Sequence, residues 1–279
     1  MPEIVEVEIQ TEGLQDVVGD VITDVIFHKK GDKITRYQKP EQFREQLLNA
    51  SIEDVFRQGK KIVFQTEQGF GPSLFLTSHL RMTGRWTIDV PEKKVGHSRL
   101  AFKLKSGREL RYSDVRVFGI MQLSTAYPGC EGADVLDGDY TDLANKAFKN
   151  KKAKGRSIKT FILDQHIWTG LGNVYANESL YEANIHPGED AWDIVSKWDR
   201  LEGLIESVKR TLQKGYAHGG LSLKDYFHVD GTQGEAQNHL NVYKREVCNC
   251  GLPIVRDTNI GTGTTFYCPT CQIKRLSKV

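Results

Sequence analysis

Five cysteines divide unevenly along the 279-residue chain: Cys130 stands alone, while Cys248, Cys250, Cys268 and Cys271 crowd into the last 32 residues. Four clustered thiols without a secretory signal point to a metal rather than to disulfides. Cys268-Pro-Thr-Cys271 has the two-residue spacing that lets both thiolates of a tight turn face one tetrahedral Zn²⁺. Cys250-Gly251 ends a partner turn across a loop of 17 residues. The expectation is one structural Zn²⁺ per chain, with free thiols as the alternative. The first half, Cys248-Asn249-Cys250, is one residue shorter than the usual pair, which strains that knuckle. Cys130 has nothing beside it to activate a thiolate and reads as inert.

A second group with chemical potential is a basic stripe. Residues 143–163 hold Lys146, Lys149, Lys151, Lys152, Lys154, Arg156 and Lys159 with no acidic residue, and the tail adds Lys274, Arg275 and Lys278. Such a stripe is the electrostatic footprint of a phosphate backbone, or a solvated helix face. Charge alone leaves the two open, because 38 basic against 36 acidic residues is a near balance.

With 39% hydrophobic and 27% charged residues, the chain has enough apolar surface for a core and is neither disordered nor fibrous. Its length suits two domains. No apolar run approaches the ~18 residues of a membrane span. The start, with Glu3, Glu6, Glu8, Glu12, Asp16 and Asp20, is the reverse of a signal peptide, so a cytoplasmic protein is expected.

The elements that must position these residues change in character along the chain. Short runs rich in Val, Ile and Phe at 21–27, 52–56, 62–64, 74–76, 100–104 and 117–123 predict an antiparallel β-sandwich or barrel. Segments 142–150, 157–165, 173–183 and 191–214 show helical spacing, with Asn184-Ile-His-Pro187 closing one helix and Gly215 the last. A boundary falls near 127–142. Residues 4–9 alternate like a strand, while Pro2 and Glu3 suit a helix start; local propensity leaves this undecided.

Seven motifs in order carry a resemblance. They are Met1-Pro-Glu-Ile-Val-Glu-Val-Glu8, Arg57-Gln-Gly-Lys60, His79-Leu-Arg-Met-Thr-Gly84, Asp114-Val-Arg-Val-Phe-Gly119, Ile158-Lys-Thr-Phe-Ile-Leu-Asp-Gln165, Gly170-Leu-Gly-Asn-Val-Tyr175 and the terminal cysteine ribbon. Together they resemble the formamidopyrimidine-DNA glycosylases (MutM type) over essentially the whole chain. The resemblance implies an α+β fold: an N-terminal helix and antiparallel β-sandwich, then a helix–two-turn–helix domain with a C-terminal zinc-ribbon hairpin. The domains it suggests are 1–126, a linker at 127–141, 142–240 with a lesion-capping loop, and 241–279.

The activity implied is base-excision repair: removal of oxidised purines from duplex DNA, then β,δ-elimination at the abasic site. Pro2, freed by loss of Met1, is the implied nucleophile, Glu3 the acid, and Lys60 the phosphate-gripping lysine. Glu6 matches a second acidic position, and Val5 replaces the family's proline before it. Asn173 and Lys159 are implied phosphate contacts. Met82, Arg116 and Phe118 match the residues that fill the void left by a flipped nucleotide, although their spacing alone reads as core for Met82 and Phe118. Glu178 and the Gly219–Gly234 stretch are implied around the extruded base. That loop favours the purine-lesion branch over the endonuclease VIII type. A third reading is a non-catalytic DNA-binding protein. The implied partner is double-stranded DNA with oxidised bases or abasic sites, bound by a monomer with no membrane contact. The family's finger arginine is missing: its place is Gly263 or Thr262, with Arg256 as a substitute.

Overall fold

In a computed structural model, the described residues are 2–69, 71–222 and 226–275. Met1, residues 223–225 of the glycine-bearing stretch, and Lys278 of the basic tail lie outside them. The chain forms two compact units: Met1–Gly129 with His218–Gln237, and Cys130–Ala217 with Asn238–Val279. The sequence reading assigned 142–240 to one domain, whereas residues 218–237 group with the first unit.

The first unit opens with helix α1 (Ile4–Leu14). Its alternating sequence becomes a helix because Glu3 and Glu6 form a reciprocal capping box, the Glu3 backbone N–H donating to Glu6 Oε2 at 2.7 Å. Polar Glu6, Gln10 and Thr11 are buried with Ile4, Val5, Val7 and Leu14, while Ile9 lies partly exposed beside Glu8 and the exposed Glu12, so the apolar residues do not trace the buried face.

There follow β1 (Ile22–Phe27), α2 (Pro40–Leu47), β2 (Ser51–Gln58), β3 (Lys61–Glu67), β4 (Leu74–His79), β5 (Gly84–Ile88), α3 (Glu92–Val95), β6 (Ser98–Leu104), β7 (Glu109–Asp114) and β8 (Ile120–Ser124). They make two antiparallel four-stranded sheets, β1-β6-β7-β5 and β2-β3-β4-β8. Val55, Ile62, Phe64 and Leu76 of one sheet join Trp86, Phe102, Leu110 and Tyr112 of the other in one core, closed by Val7 and Leu14 of α1. The Trp86 ring lies 5.2 Å from both Phe64 and Tyr112. Burying each such side chain contributes roughly 1.5–3 kcal/mol.

Strands β5 and β7 had no sequence signal. Arg85, Thr87, Ser113 and Asp114 on them are buried polar residues that break the apolar alternation. The run expected at 117–123 starts as a strand only at Ile120.

The 218–237 segment is tied to α1 and β5. Gln10 Nε2 donates to the carbonyls of Trp86 (3.1 Å) and Phe227 (2.8 Å), while its Oε1 accepts from Trp86 N (2.9 Å). Tyr226 donates its hydroxyl proton to Glu6 O at 2.7 Å, and Ile88 N donates to Val229 O at 2.8 Å.

The second unit contains β9 (Ala133–Asp134), α4 (Tyr140–Ala147), α5 (Ile158–Ile162), β10 (Trp168–Thr169), α6 (Asn173–Glu182), α7 (Ala191–Val195), α8 (Trp198–Ala217), β11 (Val255–Asp257) and β12 (Thr265–Tyr267). Asp139, Ser157 and Asp190 cap α4, α5 and α7 through side-chain acceptors. The single helix expected over 191–214 is two, α7 and α8. Gly215 does not end α8, which continues to Ala217; a Cβ there would meet the Tyr175 ring at 2.6 Å, so the glycine serves helix packing.

Candidate active site and nucleic-acid interface

Pro2 is buried immediately before α1, and Glu3 and Glu6 are each only 1% exposed. Glu6 is held by two backbone donors: Glu3 N at 2.7 Å and, from the glycine-bearing segment, Leu221 N at 2.8 Å to Oε1. Gly220, at φ +73°, leaves room for this approach, since a Cβ there would lie 3.2 Å from Glu6 Oε1.

Lys60 sits half-buried in the two-residue turn between β2 and β3, after Gly59 at φ +58°. Burial lowers its pKa, and the negative charges of Glu3 and Glu6 oppose that shift. The turn itself is braced from α1: Glu8 pairs with Arg57, whose Nη1 donates to Gly59 O at 3.2 Å. Thus Pro2 and Glu3 lead directly into α1, which carries Glu6 and also anchors the turn that presents Lys60. His79, the cross-strand partner of Lys61, is held down to about 3 by burial and then by the charges of Arg81, Lys60 and Lys61. It is a neutral imidazole at pH 7, accepting from Arg81 N at 3.2 Å.

Two further loops of this unit carry exposed side chains. Met82 follows β4 and is 37% exposed; Phe118, before β8, is 53% exposed; Arg116 beside it is exposed too. The core reading that their spacing suggests is therefore wrong for Met82 and Phe118. Apolar side chains held in solvent on short loops fit a surface that inserts into a partner.

In the second unit the four cysteines converge. All four sulfurs lie within 4.8 Å of one another, with Cys248–Cys271 at 3.8 Å and Cys250–Cys268 at 3.6 Å. Four thiolates about 2.3 Å from a tetrahedral Zn²⁺ would be roughly 3.8 Å apart, so the set fits such an ion. The shortened knuckle does not prevent this: Gly251 at φ +86° closes the turn, and Cys248 N donates to Leu252 O at 2.8 Å. Against the effect of burial, hydrogen bonds from its neighbours hold Cys248 down to about 6, while burial and the neighbouring thiols push Cys271 up to about 12, so the thiols do not ionise together without a cation. Asn173 opens α6 behind Gly172 and donates to Thr264 O at 3.0 Å.

Profiles of known families match this chain twice: the Formamidopyrimidine-DNA glycosylase N-terminal domain over residues 1–121 and the Formamidopyrimidine-DNA glycosylase H2TH domain over 135–226. A Formamidopyrimidine-DNA glycosylase of Brevibacillus brevis is 37% identical, the alignment covering 98% of this chain and 99% of the relative. This chain belongs to the formamidopyrimidine-DNA glycosylase family. A second member, from Desulforamulus reducens, is 34% identical over 98% of this chain and 99% of its own. The crystal structure of Lactococcus lactis Fpg (MutM) with DNA containing N7-benzyl-Fapy-dG superimposes with TM-score 0.79 at 28% identity, covering 98% of this chain and 100% of that one. A MutM complex with DNA containing carbocyclic 8-oxo-G matches with TM-score 0.79 at 29% identity and the same coverage. As a family member, the chain is a DNA-binding glycosylase of base-excision repair.

Against that family background two of the expected contact residues are buried. Lys159 is 0% exposed, and its ammonium donates to Thr265 Oγ1 (2.7 Å), Thr264 O (3.3 Å) and Thr262 O (3.4 Å). It holds the ribbon's hairpin loop from inside and does not face solvent. Glu178 is 3% exposed and accepts from the backbone N–H groups of Asn241 (2.6 Å), Val242 (3.0 Å) and Tyr243 (2.7 Å), with Asn241 Nδ2 at 3.2 Å. Its carboxylate fixes the strand of chain leading into the ribbon. Both side chains are bonded inside the fold of the second unit.

The sequence reading also missed three residues that shape the first unit's loops: Thr83, Asp114 and Tyr112 are all buried beneath Met82, Arg116 and Phe118. The only available signal was Thr-Gly after Met82 and Asp at the head of Asp114-Val-Arg-Val-Phe-Gly119. Of the described residues, no helix is long and apolar enough to cross a membrane.

Proposed function

We propose that this chain excises oxidised purines, 8-oxoguanine and formamidopyrimidines, from duplex DNA and then cleaves the strand through a Schiff base on Pro2. The observation that carries the reading is the cluster at the start of α1, where Pro2 adjoins the buried Glu3 and where Glu3 and Glu6 both act on the Lys60 cation. Once Met1 is removed, the Pro2 secondary amine adds its lone pair to the sugar C1′ and the base leaves with the glycosidic electrons. Glu3 donates a proton to O4′, which opens the ring and gives an iminium. A secondary amine cannot lose a further proton to become a neutral imine, so the cation persists and acidifies the C2′ proton. Loss of that proton expels the 3′ phosphate, and a second elimination expels the 5′ phosphate.

A base stacked inside a duplex is out of reach of the amine, so the nucleotide must be flipped. Met82 and Phe118, with their exposed apolar side chains, fill the void, and Arg116 hydrogen-bonds the orphaned cytosine. Lys60 and Asn173 hold phosphates, the latter at the N-terminal, positive-dipole end of α6. The docking of Leu221 and Tyr226 on Glu6 supports a purine-binding role for the 218–237 segment. Cys248, Cys250, Cys268 and Cys271 hold a structural Zn²⁺, and metal analysis should find about one zinc per chain.

Borohydride trapping on an abasic duplex tests the chemistry. The mature protein should become covalently attached, and an uncleaved tag before Pro2, which leaves an amide there, should abolish attachment. Trapping by the verified tagged protein would sink the assignment. Excision from duplexes carrying 8-oxoguanine, formamidopyrimidine or thymine glycol tests the substrate class, and preference for thymine glycol would favour the endonuclease VIII type.

A further inference from the structure

The two loops that bear Met82, Arg116 and Phe118 are joined beneath the surface. Thr83 donates its hydroxyl proton to Asp114 Oδ1. The same Asp114 carboxylate accepts from the backbone N–H of Arg116 at 3.1 Å and of Gly119 at 2.8 Å, and Thr83 Oγ1 is also 3.1 Å from the Arg116 N–H. Asp114 is completely buried and Thr83 nearly so. A second layer lies below, because the Tyr112 hydroxyl sits against both loop-ending glycines. A Cβ on Gly84 or Gly119 would come within 2.2 Å or 1.8 Å of that oxygen.

Both loops contain a residue that resists its own conformation. Arg81 has φ +55° and Val117 φ +58°, the latter a β-branched residue in the left-handed region, which is sterically costly. Such backbone persists only where neighbouring contacts over-determine it. The Asp114 carboxylate supplies those contacts on both sides of Val117, through Arg116 N and Gly119 N.

We propose that Thr83 and Asp114 are positioning residues that lock the Met82 loop to the Arg116–Phe118 loop, so that the three exposed side chains enter the duplex as one preorganised wedge. The proposal rests on the void-filling reading of those side chains given above. A hydrogen bond to a charged acceptor makes an appreciable difference only where water cannot replace it, as at this buried pair. Without the lock each loop relaxes separately, and ordering it falls on the DNA-binding step.

The test uses the full-length protein and a duplex with a 2-aminopurine beside an abasic-site analogue, whose fluorescence reports unstacking of the neighbouring base. Thr83→Val removes the hydroxyl at nearly constant volume, and Thr83→Ser keeps it. Thr83→Val should lower the unstacked fraction and the rate of excision from duplex DNA by about tenfold. Thr83→Ser should stay near the parent protein. Borohydride trapping on a single-stranded abasic oligonucleotide, which needs no flipping, should be unchanged in both. A merely structural role would lower trapping in step with duplex excision and would overturn the proposal, as would a Thr83→Val protein with the parent's fluorescence change. Met82→Ala and Phe118→Ala separate the proposal from its premise. If they suppress unstacking while Thr83→Val does not, the lock is wrong and the wedge stands. If none of the three affects it, the wedge reading itself fails and the proposal falls with it.

Discussion

In the first unit the buried carboxylates Glu3 and Glu6 act on a cation, Lys60, whose burial works against its charge. In the second, the buried Lys159 donates to Thr262, Thr264 and Thr265, and the buried Glu178 accepts from the backbone of residues 241–243 and from the Asn241 side chain. Lys60 is half-buried and Lys159 wholly buried, but Glu3, Glu6 and Glu178 are buried alike, so burial does not separate the two sets of carboxylates. The partner does. A charge held by fixed backbone groups anchors the segments it bonds, and removing it damages the fold. A charge set against another ionisable side chain sits in a coupled equilibrium that a substrate, a phosphate or a departing base can shift.

The largest effect that would break this distinction is at Glu3. Glu3→Gln keeps an oxygen to cap α1 but has no acidic proton, so excision measured in a single turnover should fall by about 10²–10⁴-fold. Affinity for abasic duplex should change by no more than a few-fold, and the melting temperature should barely move. An excision rate close to the parent's would mean that the Glu3–Glu6–Lys60 cluster is as structural as the pair in the second unit.

Next in size is the reverse case. Glu178→Gln replaces a carboxylate that accepts four N–H donors with an amide that has one acceptor oxygen. Hydrogen bonds to a charged group contribute about 1.5–3 kcal/mol each, so the second unit should lose at least about 3 kcal/mol. In a chain of this size that is a fall of several degrees in Tm, measured calorimetrically. The rate of borohydride trapping per folded molecule at saturating DNA should not change. A normal Tm with impaired excision would place Glu178 at the lesion after all.

What the sequence made legible follows the same division. The cysteine set was readable because metal coordination constrains residue type and spacing directly, and the sulfurs do converge. The sandwich was readable through apolar runs such as those of β2 and β3, but not through β5 and β7, whose buried Arg85, Thr87 and Asp114 look solvent-facing in a hydropathy pattern. Residues 4–9 were ambiguous because the buried side of the helix includes Glu6 and Gln10 while Ile9 lies on its partly exposed side, so the apolar residues display no 3.6-residue period. The burial of Lys159 was not legible for a physical reason: it ends a stripe of solvent-facing lysines, and the tertiary return of the chain at Thr262–Thr265 covers it. The grouping of 218–237 with α1 rests on partners such as Gln10 and Phe227 that lie far apart in the chain, which local pattern cannot report.

The smallest expected effect sharpens the picture of the ribbon, whose hairpin loop carries no arginine between β11 and β12. Counting back along the hairpin puts the missing contact at Gly263, or at Thr262 if an extra loop residue lies between, but the backbone distinguishes them. Gly263 has φ +72°, and a Cβ there would stand 3.2 Å from Asn173 Oδ1, so Gly263→Arg strains the loop and presses on a proposed phosphate ligand. Thr262 is exposed and lends only its carbonyl to Lys159, a contact that any side chain preserves. Thr262→Arg should therefore tighten binding to lesion duplex and steepen the dependence of log K on log salt by roughly one unit, while Gly263→Arg should weaken binding. The gain should be alike for different lesions, because a phosphate contact carries no base information. Titrations at several salt concentrations decide it. If Thr262→Arg leaves the slope where it was, the hairpin loop does not reach the backbone, and the exposed Arg256 on β11 becomes the residue to remove next: its loss should then lower the slope by the same unit.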